Sequence, residues 1–478
     1  MHFDLLQIST LVIAIHLLGL IAAGHAIMSV RTSQGAIAWA IALAGLPYFT
    51  LIPYLFLGRT RFTGYVRKRR QRNTQMRGDS AEPNWREMHE QMEITGVTPL
   101  HPGIRALTAL TGMPFLPGNK VRLLIDGTQT FAAIFAAIEA AKSYVMVQFF
   151  IVRDDHLGRS LRDLLIRKSA AGVAVYFLYD GIGSFSLPSR YIAELAAGGV
   201  HIREFATKRR IVNRFQLNFR NHRKTVVVDG QCALIGGLNV GVEYLGEQPP
   251  LSPWRDTHIE VCGPAVACIQ ITFLEDWYWV TQKLPAIEQP RPLRDAGMYC
   301  QLIPSGPADS QETCSLFFVE AINSARERVW ITTPYFVPDE SVFAALRLAA
   351  LRGVQVRILM PSRPDHRVSF EAGLLYAYDA VRAGIEVYRY LPGFMHQKVV
   401  LVDDVAAAIG TANLDNRSLR LNFELMLLTV DRGFASEVEQ MLLADFSHSK
   451  RVHANDYLQA PAWRRFGMHV ARLFAPIL

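Results

Sequence analysis

The sequence predicts an α/β protein in which two similar sheet-and-helix domains pack face to face, preceded by a two-helix transmembrane hairpin. Two observations support this prediction. Strand and helix patterns alternate in the same order twice along the 478 residues, and the N-terminal region contains two long runs without charged side chains. We assign residues 1–60 to two transmembrane helices, 61–118 to a basic linker, 119–285 to the first domain, 297–460 to the second and 461–478 to an amphipathic C-terminal segment.

Two apolar runs, residues 5–30 and 32–58, contain no Asp, Glu, Lys or Arg. Each is longer than the roughly 20 residues with which a helix crosses a hydrocarbon core. Only Arg31 separates the runs, so we expect a tight helical hairpin. A secretory signal is the alternative, but it would have a basic start and one shorter apolar core. The sequence therefore predicts a membrane anchor.

The segment after the second run is strongly basic. Eight Lys or Arg lie within residues 59–77, and no acidic residue comes before Asp79. The positive-inside rule places this segment, and the domains that follow it, in the cytoplasm. Basic side chains beside a membrane also attract acidic headgroups, and the net charge of +8 favours anionic partners in general.

The two halves repeat the same order of elements. Helices are predicted over 131–143, 157–171, 314–327 and 341–352. Strands are predicted over 144–152, 173–179, 329–333 and 354–360. A proline-rich stretch, residues 284–293, joins the halves and suits a stiff connection. The duplication predicts two facing domains rather than a solenoid.

Each half contains one His-x-Lys-x4-Asp string. The strings, with the residues of interest that follow them, are His222, Lys224, Asp229, Gly237 and Asn239 in the first half, and His396, Lys398, Asp403, Thr411 and Asn413 in the second. The β-branched run between Lys and Asp predicts a strand, and residues two apart on a strand share a face. A turn at the Asp would bring the returning strand opposite the histidine. A small residue there would let a phosphate approach, and the asparagine would donate a hydrogen bond.

A pair of such strings suits phosphodiester chemistry. One neutral imidazole attacks phosphorus and forms a covalent intermediate, while the other protonates the leaving oxygen and then deprotonates the acceptor. The lysines and asparagines stabilise charge on the non-bridging oxygens. We therefore expect no metal and no other cofactor. The five cysteines contain no CxxC pair and are interpreted as core residues of a reduced compartment.

Each histidine also needs a carboxylate that fixes its tautomer. Asp256 and Glu424 lie at comparable distances downstream of the two strings and are our candidates. A surface ion pair is the alternative for either residue. It suits Glu424 less well, because that residue lies in an apolar, strand-like run.

Two further segments combine basic and aromatic residues. Residues 203–224 contain eight Lys or Arg, with Phe215 and Phe219 between them. Nucleic-acid binding, headgroup binding and a solvated loop are all open, and the nearby membrane runs favour headgroups. Near the C-terminus an apolar row recurs at helical spacing: Trp463, Phe466, Val470, Leu473 and Phe474. This row predicts an interfacial helix, which we favour, or a helix that closes a core.

At the twin strings the chain resembles the phospholipase D superfamily, over about residues 119–450. Residues 332–338, 410–419, 421–424 and 472–478 resemble bacterial cardiolipin synthases more narrowly. The resemblance implies that a phosphatidyl group moves from one phosphatidylglycerol to a hydroxyl of a second, releasing glycerol. It also implies a multi-pass protein of the bacterial cytoplasmic (inner) membrane. Its partners would be phosphatidylglycerol and other anionic phospholipids, not nucleic acid.

The resemblance further implies residue roles. His222 is the expected nucleophile, and His396 is the expected acid and base. The phosphate would be held by Lys224, Lys398, Asn239 and Asn413. We include Asp229 and Asp403 in the catalytic set, although the resemblance ranks them below the others because such residues tend to hold the turn.

The two halves differ within this set, since Gly237 corresponds to Thr411. We therefore do not expect the two sides to hold phosphate equally. Alternatives to a synthase are a lipid hydrolase or another phosphatidyltransferase with the same site, and a catalytically silent membrane protein that binds anionic lipid. Intact strings in both halves favour an enzyme, and two membrane runs disfavour a nuclease.

Overall fold

The computed structural model describes residues 5–30, 32–58, 65, 101–205, 219–285, 287 and 297–478. Its α-helices are α1 (Leu5–Ser29), α2 (Ser33–Gly45), α3 (Pro47–Leu57), α4 (Pro102–Thr111), α5 (Asp126–Ala140), α6 (His156–Ala170), α7 (Ser189–Ala197), α8 (Ala265–Thr281), α9 (Thr313–Ser324), α10 (Glu340–Leu351), α11 (Arg367–Arg382), α12 (Asn416–Arg420), α13 (Arg432–Ser447), α14 (Ala454–Leu458) and α15 (Ala462–Leu473). Short 3-10 helices cover Val242–Leu245 and Ala475–Ile477.

The strands follow the same chain order. They are β1 (Phe115–Ile125), β2 (Tyr144–Phe149), β3 (Ala174–Asp180), β4 (His201–Phe205), β5 (Arg220–Asn221), β6 (Thr225–Val228), β7 (Cys232–Gly236), β8 (Trp254–Arg255), β9 (Thr257–Cys262), β10 (Met298–Ser305), β11 (Arg328–Thr332), β12 (Gln355–Pro361), β13 (Glu386–Tyr390), β14 (Phe394–Met395), β15 (Val399–Val402), β16 (Ala406–Gly410), β17 (Asn422–Val430) and β18 (Ser449–Arg451).

The strand order repeats in the two halves. It runs β7-β6-β2-β3-β4 in the first half and β16-β15-β11-β12-β13 in the second. In both halves the last three strands of that series are parallel, and the first three are antiparallel. Helices precede and follow these strands in the same order. This arrangement confirms the predicted α/β fold with two similar sheet-and-helix domains.

Strand β1 connects the two sheets. Phe115 and Leu116 pair with β10, whereas Lys120 to Ile125 pair with β9, and the register is irregular between the two parts. β10 in turn pairs with β17. One strand therefore belongs to the hydrogen-bonded ladders of both halves. It begins at Phe115, ahead of residue 119, where the first domain was predicted to begin.

Three large apolar clusters form the cores. Two of them lie in single halves, with helix α4 joining the second, and the largest contains residues from both halves, among them Ile259 and Leu425. Helices α8 and α13 contribute to this shared cluster, and α8 is buried along nearly its whole length. Strand β6 is buried at every position, which explains its unbroken β-branched sequence.

The apolar N-terminal region forms three helices. Among the described residues, one helix is long and apolar enough to cross a membrane, over Ser9–Ser29 of α1, and α2 and α3 are shorter apolar helices. The second run is interrupted between Leu46 and Pro47, because proline lacks the N–H that would continue α2 and instead begins α3. The predicted two-helix hairpin is therefore only weakly supported: the first run forms one long helix, and the second forms two shorter apolar helices.

Both basic stretches of the sequence lie largely outside the described residues. These stretches are residues 59–77 and the part of 203–224 that contains Phe215. Phe219 is described and is buried in the shared core, so this ring does not reach a lipid surface. Tyr65, from the predicted linker, is also buried, and its hydroxyl donates to Asp276 at 2.7 Å.

Candidate active site

The backbone that carries each histidine is attached to the opposite half of the chain. His222 follows β5, which pairs with β17, and its N–H donates to the carbonyl of Phe423 at 2.9 Å. His396 follows β14, which pairs with β8, and its N–H donates to the carbonyl of Arg255 at 2.8 Å. The two strings therefore meet where the halves face each other.

The carboxylates cross between the halves in the same way. Nδ1 of His222 lies 3.0 Å from the carboxylate of Glu424, and Nδ1 of His396 lies 2.7 Å from Asp256. Both acids are buried, so the surface ion pair considered for them does not fit. Since Nδ1 of each ring faces a carboxylate, Nε2 is left for a substrate. Both rings line one cavity of about 730 Å³.

The electrostatics of this cluster favour neutral imidazoles beside ionised acids. Burial lowers the pKa of His222 and of His396 to about 4, because a charged ring loses its hydration there. Burial alone would raise the carboxyl pKa values of Asp256 and Glu424. Lys398 beside Asp256, and His222 beside Glu424, more than offset that effect and hold both pKa values below the ordinary range.

The two lysines lie behind the histidines. Lys224 and Lys398 are fully buried, and each donates from Nζ to the carbonyl of its own histidine, with a distance of 2.6 Å for Lys224 and His222. Burial lowers the pKa of Lys224 to about 7 and that of Lys398 to about 8. They supply positive charge next to the rings, and their direct contact with a phosphate stays a prediction.

Both string asparagines line the cavity. Asn239 is held on both sides, accepting from the N–H of Ile151 at 3.0 Å and donating to the hydroxyl of Tyr244 at 2.7 Å. Asn413 donates to Asp415 at 3.1 Å, and its buried Oδ1 has no hydrogen-bond partner within the described ranges. Asn413 is thus the less constrained of the two.

Glu424 accepts hydrogen bonds from three neighbours besides His222. Thr411 donates at 2.6 Å, Ser418 at 2.8 Å and Asn422 at 3.2 Å. These donors fix the carboxylate in the orientation that faces the imidazole. Ser418 and Asn422 were not predicted, although both lie in segments that carried the resemblance.

The difference between Gly237 and Thr411 follows from these carboxylates. A Cβ on Gly237 would lie 2.1 Å from Oδ1 of Asp256, so no side chain fits there. At the equivalent place the Thr411 hydroxyl donates to Glu424. Gly237 therefore leaves room for Asp256, and Thr411 orients Glu424, while contact of either position with a phosphate stays a prediction.

The Asp residues of the strings hold turns and do not line the cavity, in agreement with the lower rank that the resemblance gives them. Asp229 accepts from the N–H groups of Lys142, Ser143 and Tyr144, and Asp403 from those of Arg326, Glu327 and Arg328. Their φ angles of 50° and 52° are left-handed, a conformation that Asp tolerates in tight turns. At about 3.3 Å per residue, the strand places Asp229 and Asp403 on the order of 16 Å from the string lysines.

A buried polar network behind the strings was also missed. Arg223 forms an ion pair with Asp276 of α8 at 2.9 Å, and Gln397 donates to Asp445 of α13 at 3.0 Å. Arg255 pairs with the same Asp445 at 2.7 Å. The central residue of each string is thus tied to an equivalent helix. The sequence did contain a signal for this network. Strand alternation turns Arg223 and Gln397 to the face opposite the histidines, and a polar side chain that is buried there needs a hydrogen-bond partner.

Two similar halves that place paired histidines across one cavity define a phospholipase D-like phosphodiester-transferring enzyme. The family model described as "Cardiolipin synthase, PLD-like domain" matches residues 134–248 and 318–446. Cardiolipin synthase A of Pseudomonas aeruginosa is 57% identical over 468 residues, covering 98% of this chain and 96% of that protein. The Pseudomonas putida protein of the same name is 58% identical over 464 residues, covering 97% of each chain.

Among solved structures, the fold is similar to that of phosphatidylserine synthase from Haemophilus influenzae. The TM-score is 0.62 at 17% sequence identity, covering 79% of this chain and 100% of that one, which shows a common fold. The family model and the two relatives identify the family to which this chain belongs. The chain belongs to the cardiolipin synthase family of phosphatidyltransferases, within the phospholipase D superfamily.

Proposed function

We propose that the protein transfers a phosphatidyl group between two phosphatidylglycerol molecules, giving cardiolipin and glycerol through a phosphohistidine intermediate. The crossed pairs carry this proposal, since each ring has its Nδ1 at a buried carboxylate and Nε2 available to the same cavity. Two such rings can act on opposite sides of one phosphorus. The family resemblance supports His222 as the nucleophile and His396 as the acid and base.

In the first step, neutral Nε2 of His222 attacks phosphorus, and the bond from phosphorus to the glycerol headgroup oxygen breaks. His396 gives that oxygen a proton, so glycerol leaves as an alcohol. The step requires His396 to be protonated although burial lowers its pKa. A bound phosphodiester supplies the missing negative charge beside the ring and raises that pKa.

In the second step, neutral His396 accepts the proton of a hydroxyl on the second phosphatidylglycerol. The hydroxyl oxygen attacks phosphorus, and the bond to Nε2 of His222 breaks. Cardiolipin is released, and both imidazoles return to their starting states. Lys224, Lys398, Asn239 and Asn413 stabilise the charge on the non-bridging oxygens in both steps.

We also propose that the catalytic domains work at the inner surface of the bacterial cytoplasmic membrane. The apolar α1 and the basic residues 59–77 support an anchor with the domains on the cytoplasmic side. Phosphatidylglycerol and other anionic phospholipids are the expected partners there.

Helix α15 supports contact with the lipid interface. Trp463, Phe466 and Leu473 are 75%, 71% and 77% exposed, whereas a helix that closes a core would bury this row. Arg472 binds the opposite side of the helix to Asp379 on α11 at 2.7 Å. A helix with exposed aromatic residues beside basic ones suits the boundary between headgroups and acyl chains. Residues 477 and 478, which follow α15, line the catalytic cavity, and this supports a cavity mouth close to that boundary.

The test is to supply the purified full chain with phosphatidylglycerol in mixed micelles and to measure the products. Cardiolipin and free glycerol in equal amounts are expected. Phosphatidic acid without cardiolipin would identify a hydrolase and refute the synthase proposal. Lipid binding without any product would identify a silent binder, and the variants His222→Asn and His396→Asn serve as inactive controls.

A further inference from the structure

The two halves contribute walls to the cavity that differ in residue type at equivalent positions. When the strings are aligned by His and Lys, Arg220 in the first half corresponds to Phe394 in the second. Their strand partners differ in the same sense, since Arg220 pairs with Asn422 and Phe394 pairs with Trp254. The Trp254 and Phe394 rings lie 4.8 Å apart, and both contact the His396 ring. The position two residues before the histidine is therefore aromatic on the His396 wall and cationic on the His222 wall, where Phe150 contacts the His222 ring.

A second pair of equivalent positions differs in charge. Counting four residues from the string asparagines, Arg417 corresponds to Glu243. Arg220, Arg417 and Glu243 all line the cavity. At these equivalent positions the His222 wall has two arginines and the other wall has a carboxylate. Asp415 on the first side and Arg153 on the second also line the cavity.

Arg220 is a half-buried cation that forms no ion pair within the part of the chain that the structure describes, and the charges of Asp180 and Asp415 only partly offset its burial. Its buried Nε has no hydrogen-bond partner there. The acids that influence it are occupied elsewhere, since Asp180 accepts from backbone N–H groups, and Asp415 caps α12 through the N–H of Ser418 at 2.7 Å. Burying a guanidinium in this way is costly unless a ligand supplies the opposite charge.

We infer that Arg220, with Arg417 beside it, forms a second phosphate subsite that binds the phosphodiester of the accepting lipid. The inference rests on the proposed function, in which the product carries two phosphates joined by one glycerol. Arg220 and His222 are two residues apart on an extended backbone, a separation of about 6.6 Å. A glycerol bridge spans a comparable distance. The planar guanidinium suits a phosphate through two parallel hydrogen bonds.

The wall opposite this subsite gives the second lipid one orientation. Glu243 repels a phosphate at the place equivalent to Arg417, and Arg153 lies 3.6 Å from that carboxylate and neutralises part of its charge. The accepting lipid therefore binds with its phosphate toward the His222 wall. The symmetry of the catalytic pairs does not extend to the binding of the two lipids.

The subsite is needed only when two phosphates are present. The first step involves one phosphatidylglycerol, and so does the reverse of that step, in which free glycerol attacks the phosphohistidine. Loss of Arg220 should therefore weaken transfer to a lipid acceptor while sparing the exchange of free glycerol into phosphatidylglycerol. This difference separates the subsite from the catalytic machinery.

The experiment compares the full chain with its Arg220→Met and Arg220→Lys variants, each reconstituted in vesicles. Cardiolipin synthesis is measured against the mole fraction of phosphatidylglycerol, and labelled glycerol is used to measure exchange. In Arg220→Met, half-maximal synthesis should require about ten times more phosphatidylglycerol, the effect of losing a hydrogen bond to a charged group. Glycerol exchange should stay close to that of the unmodified chain. The Arg220→Lys variant keeps the positive charge but loses the two parallel hydrogen bonds of the guanidinium. Its phosphatidylglycerol requirement should lie between those of the unmodified chain and Arg220→Met.

Arg122→Met is the matched control, because Arg122 forms an exposed ion pair with Glu260 at 2.6 Å and does not line the cavity. The inference is overturned if synthesis and exchange fall together in Arg220→Met, or if neither changes. Should the methionine variant fail to fold, the lysine variant decides by the same two measurements. Failure of the unmodified chain to form cardiolipin would instead refute the proposed function.

Discussion

His222 and Glu424 are 202 residues apart in the sequence, and their side chains lie 3.0 Å apart across the two halves. Asp256 and His396 form the reverse pair. Because each imidazole takes its carboxylate from the other half, neither half holds a complete histidine–carboxylate pair. The pairing makes the alignment of the two domains a condition for catalysis.

The first prediction concerns the orienting acids. Glu424→Gln and Asp256→Asn should each lower kcat for cardiolipin formation by about 10³, as expected when a histidine loses the carboxylate that fixes its tautomer. The carboxylates also raise the pKa of the rings, so residual activity should have its acid limb at lower pH. The control is Glu260→Gln, since Glu260 is only partly buried and does not line the cavity. Activity in Glu424→Gln above a tenth of normal would contradict the assigned role.

The second prediction separates the two histidines. An activated phosphodiester with a nitrophenol leaving group needs no acid, so His396→Asn should still release one equivalent of nitrophenol and retain the phosphoryl group on His222. His222→Asn should show no such burst. The adduct is measured by mass spectrometry after an alkaline quench. An adduct on His396 in the unmodified chain would reverse the assignment of nucleophile.

A third prediction follows from the crowding at Gly237. In Gly237→Ala the new methyl group meets Oδ1 of Asp256, so cardiolipin synthesis should be lost and unfolding made easier by about 1–3 kcal/mol. Gly467→Ala is the matched control, since a Cβ there has no heavy atom within 4 Å among the described residues. Normal activity in Gly237→Ala would show that Asp256 does not need its present position.

The fourth prediction concerns the turn residues. Asp229→Asn keeps a side chain that tolerates the left-handed φ but removes the charge that three backbone N–H groups share. The free energy of unfolding should fall by about 1–3 kcal/mol, whereas kcat at a permissive temperature stays near normal. Thermal unfolding and cardiolipin assays on the same preparation provide the check. A large loss of kcat without loss of stability would return Asp229 to the catalytic set.

The fifth prediction concerns pH and stability. Burial lowers the pKa of His222 and His396 to about 4 and that of His258 to about 3, so the unfolded chain binds protons below about pH 6.5 that the native chain does not. Stability should therefore fall as the pH is lowered from 6.5 toward 4. His258→Gln should reduce the slope of unfolding free energy against pH in that window, and an unchanged slope would contradict the buried neutral state of His258.

Local patterns carried much of the prediction. The alternation of strands and helices, the turn at Asp229 and the shared face of His222 and Lys224 depend on neighbouring residues and on simple geometry. The same holds for Glu424, where a carboxylate in an apolar strand required a buried partner. These features could be inferred because their causes lie within a few residues of the sequence.

Features that depend on distant segments could not be inferred in this way. Strand periodicity does not say which half supplies the partner of a histidine, so the crossing of Asp256 to His396 was not predicted. The role of Thr411 depends on where Glu424 points, and that direction is set by packing between the halves. Leu46 and Pro47 interrupt an apolar run whose composition alone suited one continuous helix.

The shared strand β1 limits how the enzyme can admit its lipids. Because β1 pairs with β9 and, through β10, continues to β17, rotating one half away from the other would break ladder hydrogen bonds in the middle of the molecule. The shared strand therefore disfavours opening and closing of the two halves as rigid bodies. In the proposed reaction, lipid headgroups therefore enter the cavity through its mouth without separation of the two halves.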